Sequence, residues 1–220
     1  MYKNEKLLNL ADHAEVKVVS EGKEFNLTRL EMGDLFLPTG KIVANDPFVL
    51  FETEPFTHAV PPGHYPVSLS VASMDSFGAE DKRVAMAMLK FSDKNVARWE
   101  LAIIDGQEEN LGGLGDDDFF GYGVDSGTGG FMDAFVANAL TTDEKYKDED
   151  FFEKFEEELK ASYTHTYDYL LADVLDSGEK NFACFSSGFG DGSYPSYFGY
   201  DDKGEICRLV TDFLVVYTDI

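Results

Sequence analysis

Tyr65-Pro66-Val67-Ser68-Leu69-Ser70-Val71 alternates apolar and polar residues, so Val67, Leu69 and Val71 line one face of an extended strand and Ser68 and Ser70 the other. Downstream, Arg83 to Phe91 carries the helix-favouring run Ala-Met-Ala-Met-Leu. It is short, however, bounded by Gly78 and by Asp93-Lys94-Asn95, and one connection past a strand, which predicts a second strand. Trp99 to Ile104 predicts a third, and the three together an antiparallel meander in the middle of the chain. Upstream, Val16-Lys17-Val18-Val19, Lys41-Ile42-Val43-Ala44 and Pro47-Phe48-Val49-Leu50-Phe51 predict short strands between turn residues. Leu37-Pro38-Thr39-Gly40 and Pro61-Pro62-Gly63 set proline before glycine and mark tight corners.

The second half changes period. Phe131 to Leu140 has the composition of a helix, and Asp148 to Ser162 places Phe151, Phe152, Phe155 and Leu159 on one face with Glu153, Glu156 and Glu157 opposite. A continuation through Tyr169-Leu170-Leu171 extends this helical segment to about residues 131–175. Strand patterns return at Asn181 to Phe185, Tyr194 to Tyr200 and Glu205 to Tyr217, the last two joined by the hairpin turn Asp201-Asp202-Lys203-Gly204. The stretch from Asp105 to Gly123 is rich in Gly and Asp, and Gly112 to Asp118 within it reads as an exposed, mobile loop. The expected fold is α+β: mostly antiparallel sheets with the helical segment packed on one side. We expect a single domain over residues 1–220, with 1–14 as a peripheral N-terminal segment.

Composition narrows the function classes. Nineteen Phe and eleven Tyr among 220 residues supply ample core material. Eighteen basic residues against 42 acidic ones leave a net charge of −24, which repels phosphate and disfavours nucleic acid and anionic membranes as partners. No apolar run approaches the roughly 20 residues of a membrane helix, and Met1 to Lys6 leads only into Leu7-Leu8-Asn9-Leu10, so no export signal is read. Two cysteines, Cys184 and Cys207, make neither a disulfide framework nor a zinc pattern. A reducing cytoplasm is the expected compartment.

The chemistry-bearing candidates lie on two glycine-rich segments, Val124-Asp125-Ser126-Gly127-Thr128-Gly129-Gly130-Phe131-Met132-Asp133 and Gly188-Phe189-Gly190-Asp191-Gly192-Ser193-Tyr194-Pro195-Ser196-Tyr197. Such loops either brace a fold or line a site. In the first case the aspartates accept backbone N–H groups. In the second, Asp125, Asp133 and Asp191, with Asp46 completing the shell, would offer oxygen ligands to Mg²⁺ or Ca²⁺. Asp212, flanked by Val210 and Leu214, needs a partner if buried. Arg208 lies four strand residues away, roughly 13 Å, so the amides of Gly190-Asp191-Gly192 are the expected partner. Among the histidines His13, His58, His64 and His165, His64 or His58 beside an aspartate could act as a base, although a hydrogen-bonded loop position is the plainer reading. Cys184 lies in an apolar strand and reads as a packing residue. No cofactor motif is present, and neither segment has nucleotide-loop spacing. Gly63-His64-Tyr65-Pro66 and Gly192-Ser193-Tyr194-Pro195 share Gly-x-Tyr-Pro at a strand start.

These two segments, together with the Leu37 to Gly40 corner, Asp46-Pro47, Trp99-Glu100-Leu101-Ala102 and the closing Thr211-Asp212-Phe213, resemble a bacterial family known as domain of unknown function 4241, from about Leu37 to Val216. The resemblance implies a cytosolic, single-domain bacterial protein and carries no activity, cofactor or catalytic residue. The expected function is non-catalytic recognition of a partner, a basic protein being the class that the charge favours, in an immunity-like or regulatory role. The alternative is a divalent-metal hydrolase built on the loop aspartates.

Overall fold

The computed structural model describes residues 5–50, 53–76, 78–115, 118–146, 149–164 and 166–217. Helix α1 (Glu5–Leu10) precedes strands β1 (Glu15–Ser20), β2 (Lys23–Leu37), β3 (Ile42–Asn45), β4 (Gly63–Ser76), β5 (Ala79–Lys90) and β6 (Arg98–Leu101). A short 3₁₀ helix (Glu108–Gly113) leads to β7 (Tyr122–Val124), β8 (Thr128–Asp133), α2 (Ala134–Thr142) and α3 (Glu149–Ala161). The chain closes with β9 (Tyr169–Ala172), β10 (Phe182–Ser186), β11 (Gly192–Tyr194), β12 (Ser196–Tyr200) and β13 (Ile206–Asp212).

All pairings are antiparallel. Seven strands in the order β1-β2-β4-β5-β13-β12-β6 form a sheet curled into a half-barrel, β3-β8-β10-β9 form a second sheet, and β7 and β11 a two-stranded ribbon. The curl has local causes: register shifts give β2 an extra residue between Glu31 and Gly33, β5 one opposite Ser70/Val71 and β13 one opposite Gly199/Tyr200, and each sharpens the twist of its strand.

Alternation along the second sheet sorts its side chains into two cores. Ile42, Ala44, Phe131, Ala183 and Phe185 join the cluster under the half-barrel, with Leu35, Leu89 and Phe213. Val43, Met132, Phe182 and Cys184 join a second cluster with Val136, Leu140, Phe155 and Leu159 of α2 and α3. Both faces of this sheet are therefore buried, which explains strands apolar at almost every position. On α3, Glu156 and Lys160 form an exposed i,i+4 pair at 3.1 Å opposite that buried stripe.

Several expectations need correction. The meander is interrupted: β5 pairs with β13 and β6 with β12, so the hairpin at residues 201–204 inserts between two strands adjacent in sequence. Residues 47–49 form a turn, with the Leu50 N–H bonded to the Asp46 carbonyl at 3.0 Å, and Phe51 lies outside the described residues. The helical segment is shorter than 131–175. Phe131 to Asp133 belong to β8, where they pair with β3 and β10, and Tyr169 to Ala172 form edge strand β9. Residues 5–14 are not peripheral, because Leu7, Leu8 and Ala11 are buried in the first core and Asn9 accepts the Trp99 indole N–H at 3.0 Å. Ser68 and Ser70, expected away from the core, are nonetheless buried. Asp117, Asp148 and His165 lie outside the described residues.

Candidate functional site

The two glycine-rich segments meet. β7 and β11 pair Tyr122 with Tyr194 and Val124 with Gly192, and the Ser187 N–H donates to the Gly127 carbonyl at 3.0 Å. Close approach requires the glycines. A Cβ on Gly130 would stand 2.8 Å from the Ala183 carbonyl oxygen, and Gly188, at φ +60°, would place one 2.9 Å from that of Phe213. The Gly-x-Tyr-Pro echo gains a physical basis in this arrangement. Each tyrosine hydroxyl returns to the carbonyl four residues back, Tyr65 to Pro61 and Tyr194 to Gly190, the latter at 2.7 Å, and so clamps the corner before its strand.

Two of the candidate aspartates are consumed by the fold. Asp133, fully buried, accepts Thr39 N–H (2.9 Å), Thr39 Oγ1–H (2.7 Å), Gly40 N–H (3.0 Å) and Phe135 N–H (2.8 Å), the last as the N-cap of α2. Asp46, also buried, accepts Asp125 N–H (2.9 Å), Ser126 N–H (2.7 Å), Ser126 Oγ–H (2.8 Å) and Phe48 N–H (3.0 Å). A carboxylate offers about four lone-pair sites, so four donors leave each of them little capacity for a cation. Asp212, buried at the end of β13, accepts the Leu214 N–H at 2.9 Å in a turn where Leu214 has φ +55°. The Gly190 N–H donates to the Ser187 carbonyl at 2.9 Å. Among the described residues, no group of three His, Cys, Asp or Glu side chains is placed to hold a metal ion.

Asp125 and Asp191 differ from these, since both are exposed and both flank the last pair of the β7–β11 ladder, Val124 with Gly192. Phe189 beside them is 61% exposed, with the Arg83 guanidinium 5.4 Å from its ring centre. His64 lies apart on β4, stacked on Phe36 with ring centres 4.7 Å apart and paired with Glu179 at 2.8 Å.

These blocks carry the resemblance noted in the sequence, and a family model, described as a protein of unknown function (DUF4241), matches residues 35–211. The chain belongs to that family. Neither a curated protein nor a solved structure matches it. The Leu37 to Gly40 corner, Asp46-Pro47 and both glycine-rich segments all fall inside the matched span, and in the structure they are partners in one hydrogen-bonded assembly. No helix is long and apolar enough to cross a membrane among the described residues.

One cluster escapes sequence reading. Asp12, in the turn after α1, meets Arg29 at 3.0 Å, Arg208 at 2.7 Å and Lys90 at 3.8 Å. Its partners come from β2, β5 and β13, strands of one sheet whose order no local pattern reveals. A cavity of about 380 Å³ opens beside it, lined by Arg29, His64, Ser68 and Lys90 among others.

Two further groups show what burial does to titration here. The Cys184 thiol is pushed up by burial and by the negative charge of Asp168, leaving it inert as a nucleophile. Asp168 itself is raised by burial, against the opposing hydrogen bond from the Ser186 hydroxyl at 2.5 Å.

Proposed function

We propose that this protein is a non-catalytic recognition module that binds a basic protein partner through the rim of its joined glycine-rich loops, in an immunity-like or regulatory role in the bacterial cytoplasm. One observation carries this reading: Asp125 and Asp191 flank one ladder pair on a backbone held rigid by Asp46, by Tyr194 and by the β7–β11 ribbon, with exposed Phe189 alongside. Like charges at neighbouring strand positions are destabilising by themselves and gain from a cation between them. Rigid display of an aromatic beside charges also lowers the ordering cost of association. The net charge of −24 steers basic surfaces toward the molecule over longer range.

The hydrolase alternative draws less support, since Asp133 and Asp46 spend their oxygens on backbone donors. The test is capture from bacterial lysate followed by titration of the purified captured protein. Binding should weaken steeply with salt and fall about tenfold, roughly 1.4 kcal/mol, in an Asp125→Asn/Asp191→Asn double variant. Salt-insensitive binding, or equal binding by the double variant, would refute it.

A further inference from the structure

Against the prevailing negative field, three cations converge on a single carboxylate, Asp12. Its Oδ1 takes Arg29 Nη1 at 3.0 Å and lies 3.8 Å from Lys90 Nζ, while its Oδ2 takes Arg208 Nη2 at 2.7 Å. The arrangement has the donor set of an oxyanion receptor, with Arg29 also holding the Asp12 carbonyl at 2.6 Å. Arg208 is only 4% exposed, and its Nε–H has no acceptor among the described residues. Its Nη1 donates to the Ser92 and Cys207 carbonyls. A buried guanidinium with a spare donor is the costly half of an incomplete polar network.

Space adjoins this cluster on both sides of Asp12. The cavity of about 380 Å³ is lined by Arg29, Lys90, His64, Tyr65 and Ser68, and a second of about 290 Å³ by Arg208, Asn9 and Trp99, with Asp12 and Met88 on both. Two other carboxylates that line the larger cavity, Glu31 and Asp93, also reach the cations. Glu31 pairs with Arg29 at 2.7 Å and Asp93 with Lys90 at 2.8 Å, with side chains 58% and 97% exposed, whereas that of Arg208 is 5% exposed. Water screens those two exposed partners more than it screens the buried Arg208 guanidinium.

We propose that the space on the two sides of Asp12 binds a small oxyanion ligand, carboxylate- or phosphate-bearing, whose anionic group takes the place of the Asp12 carboxylate between Arg29 and Lys90 on the larger cavity and Arg208 on the smaller, with the Ser68 hydroxyl adding a contact. Asp12 is then the chain's own competitor for the site. The inference is independent of the loop rim proposed for protein binding, which uses none of these residues.

Melting temperature and calorimetric titration with millimolar inorganic phosphate and, separately, citrate test it against sodium chloride at matched ionic strength. Lys90→Gln sets the baseline, because polyvalent anions stabilise proteins nonspecifically. The wild type should show a stabilisation that Lys90→Gln lacks, and Asp12→Asn should bind the effective anion at least tenfold more tightly. Response to phosphate alone assigns phosphoryl ligands; response to citrate alone assigns carboxylates. If wild type and Lys90→Gln respond identically to both anions, the site is refuted, and this comparison stands even where Asp12→Asn fails to fold.

Discussion

Asp46 accepts the backbone N–H of Asp125 at 2.9 Å across 79 positions of sequence. The same Oδ2 takes Ser126 N–H, and Oδ1 takes the Ser126 hydroxyl and Phe48 N–H, so one buried side chain fixes both the corner at residues 46–48 and the start of the first glycine-rich loop. Asp46→Asn keeps the shape but turns an acceptor into a donor facing other donors. Each charged hydrogen bond is worth about 1.5–3 kcal/mol, and the substitution should cost about 3 kcal/mol, measured by urea unfolding. A loss below about 1 kcal/mol would remove Asp46 as a brace.

Asp133 does two jobs that can be separated. Capping of α2 needs only a short side-chain oxygen, whereas holding Thr39 and Gly40 needs a carboxylate with both oxygens in place. Asp133→Ser should keep the cap and lose the corner, while Asp133→Ala loses both. We expect Ala to be less stable than Ser by about 1 kcal/mol and both to be well below wild type. Equal stability of the two variants would show that the cap contributes nothing.

Acid should weaken the turn between β12 and β13. Asp201 bonds to Lys94 at 2.6 Å and accepts the Lys203 and Glu205 N–H groups, which hold its carboxyl down at about 2. An unfolded aspartate titrates near 3.9. The stabilisation is therefore complete above about pH 4 and disappears as the pH falls through about 2. Urea midpoints measured from pH 5 to pH 2 should fall less steeply in Asp201→Asn than in wild type, and parallel curves would contradict this.

Both cysteines should be silent in the native state. Burial raises the Cys184 thiol, and raises Cys207 despite nearby Arg208. A thiol-reactive disulfide reagent at pH 8 should label neither in folded protein and both after denaturation. Fast native labelling would mean that β10, for Cys184, or β13, for Cys207, opens locally.

Much of the strand content was visible in the sequence because alternation is local, as Val67, Leu69 and Val71 show. Pairing was less visible. Trp99 follows β5 in the chain, yet β6 bonds to β12, whose sequence arrives about a hundred residues later. Tyr169-Leu170-Leu171-Ala172 is continuously apolar and fits helix or buried strand alike, and only its ladder with β10 decides. For the site, glycine density pointed to the loops, and their aspartates divided in a way that spacing alone does not reveal: Asp133 and Asp46 inward, Asp125 and Asp191 outward. The Asp12 cluster had no signal, since residues 12, 29, 90 and 208 share no motif and meet only through sheet order.

The middle sheet acts as a party wall. Phe182 and Cys184 of β10 face one chamber while Ala183 and Phe185 face the other, so a slip of that strand by a single residue would exchange the contents of both at once. Neither chamber can loosen without exposing the wall it shares, and the protein should melt in one calorimetric step, with no temperature at which the helical side has come apart while the half-barrel survives.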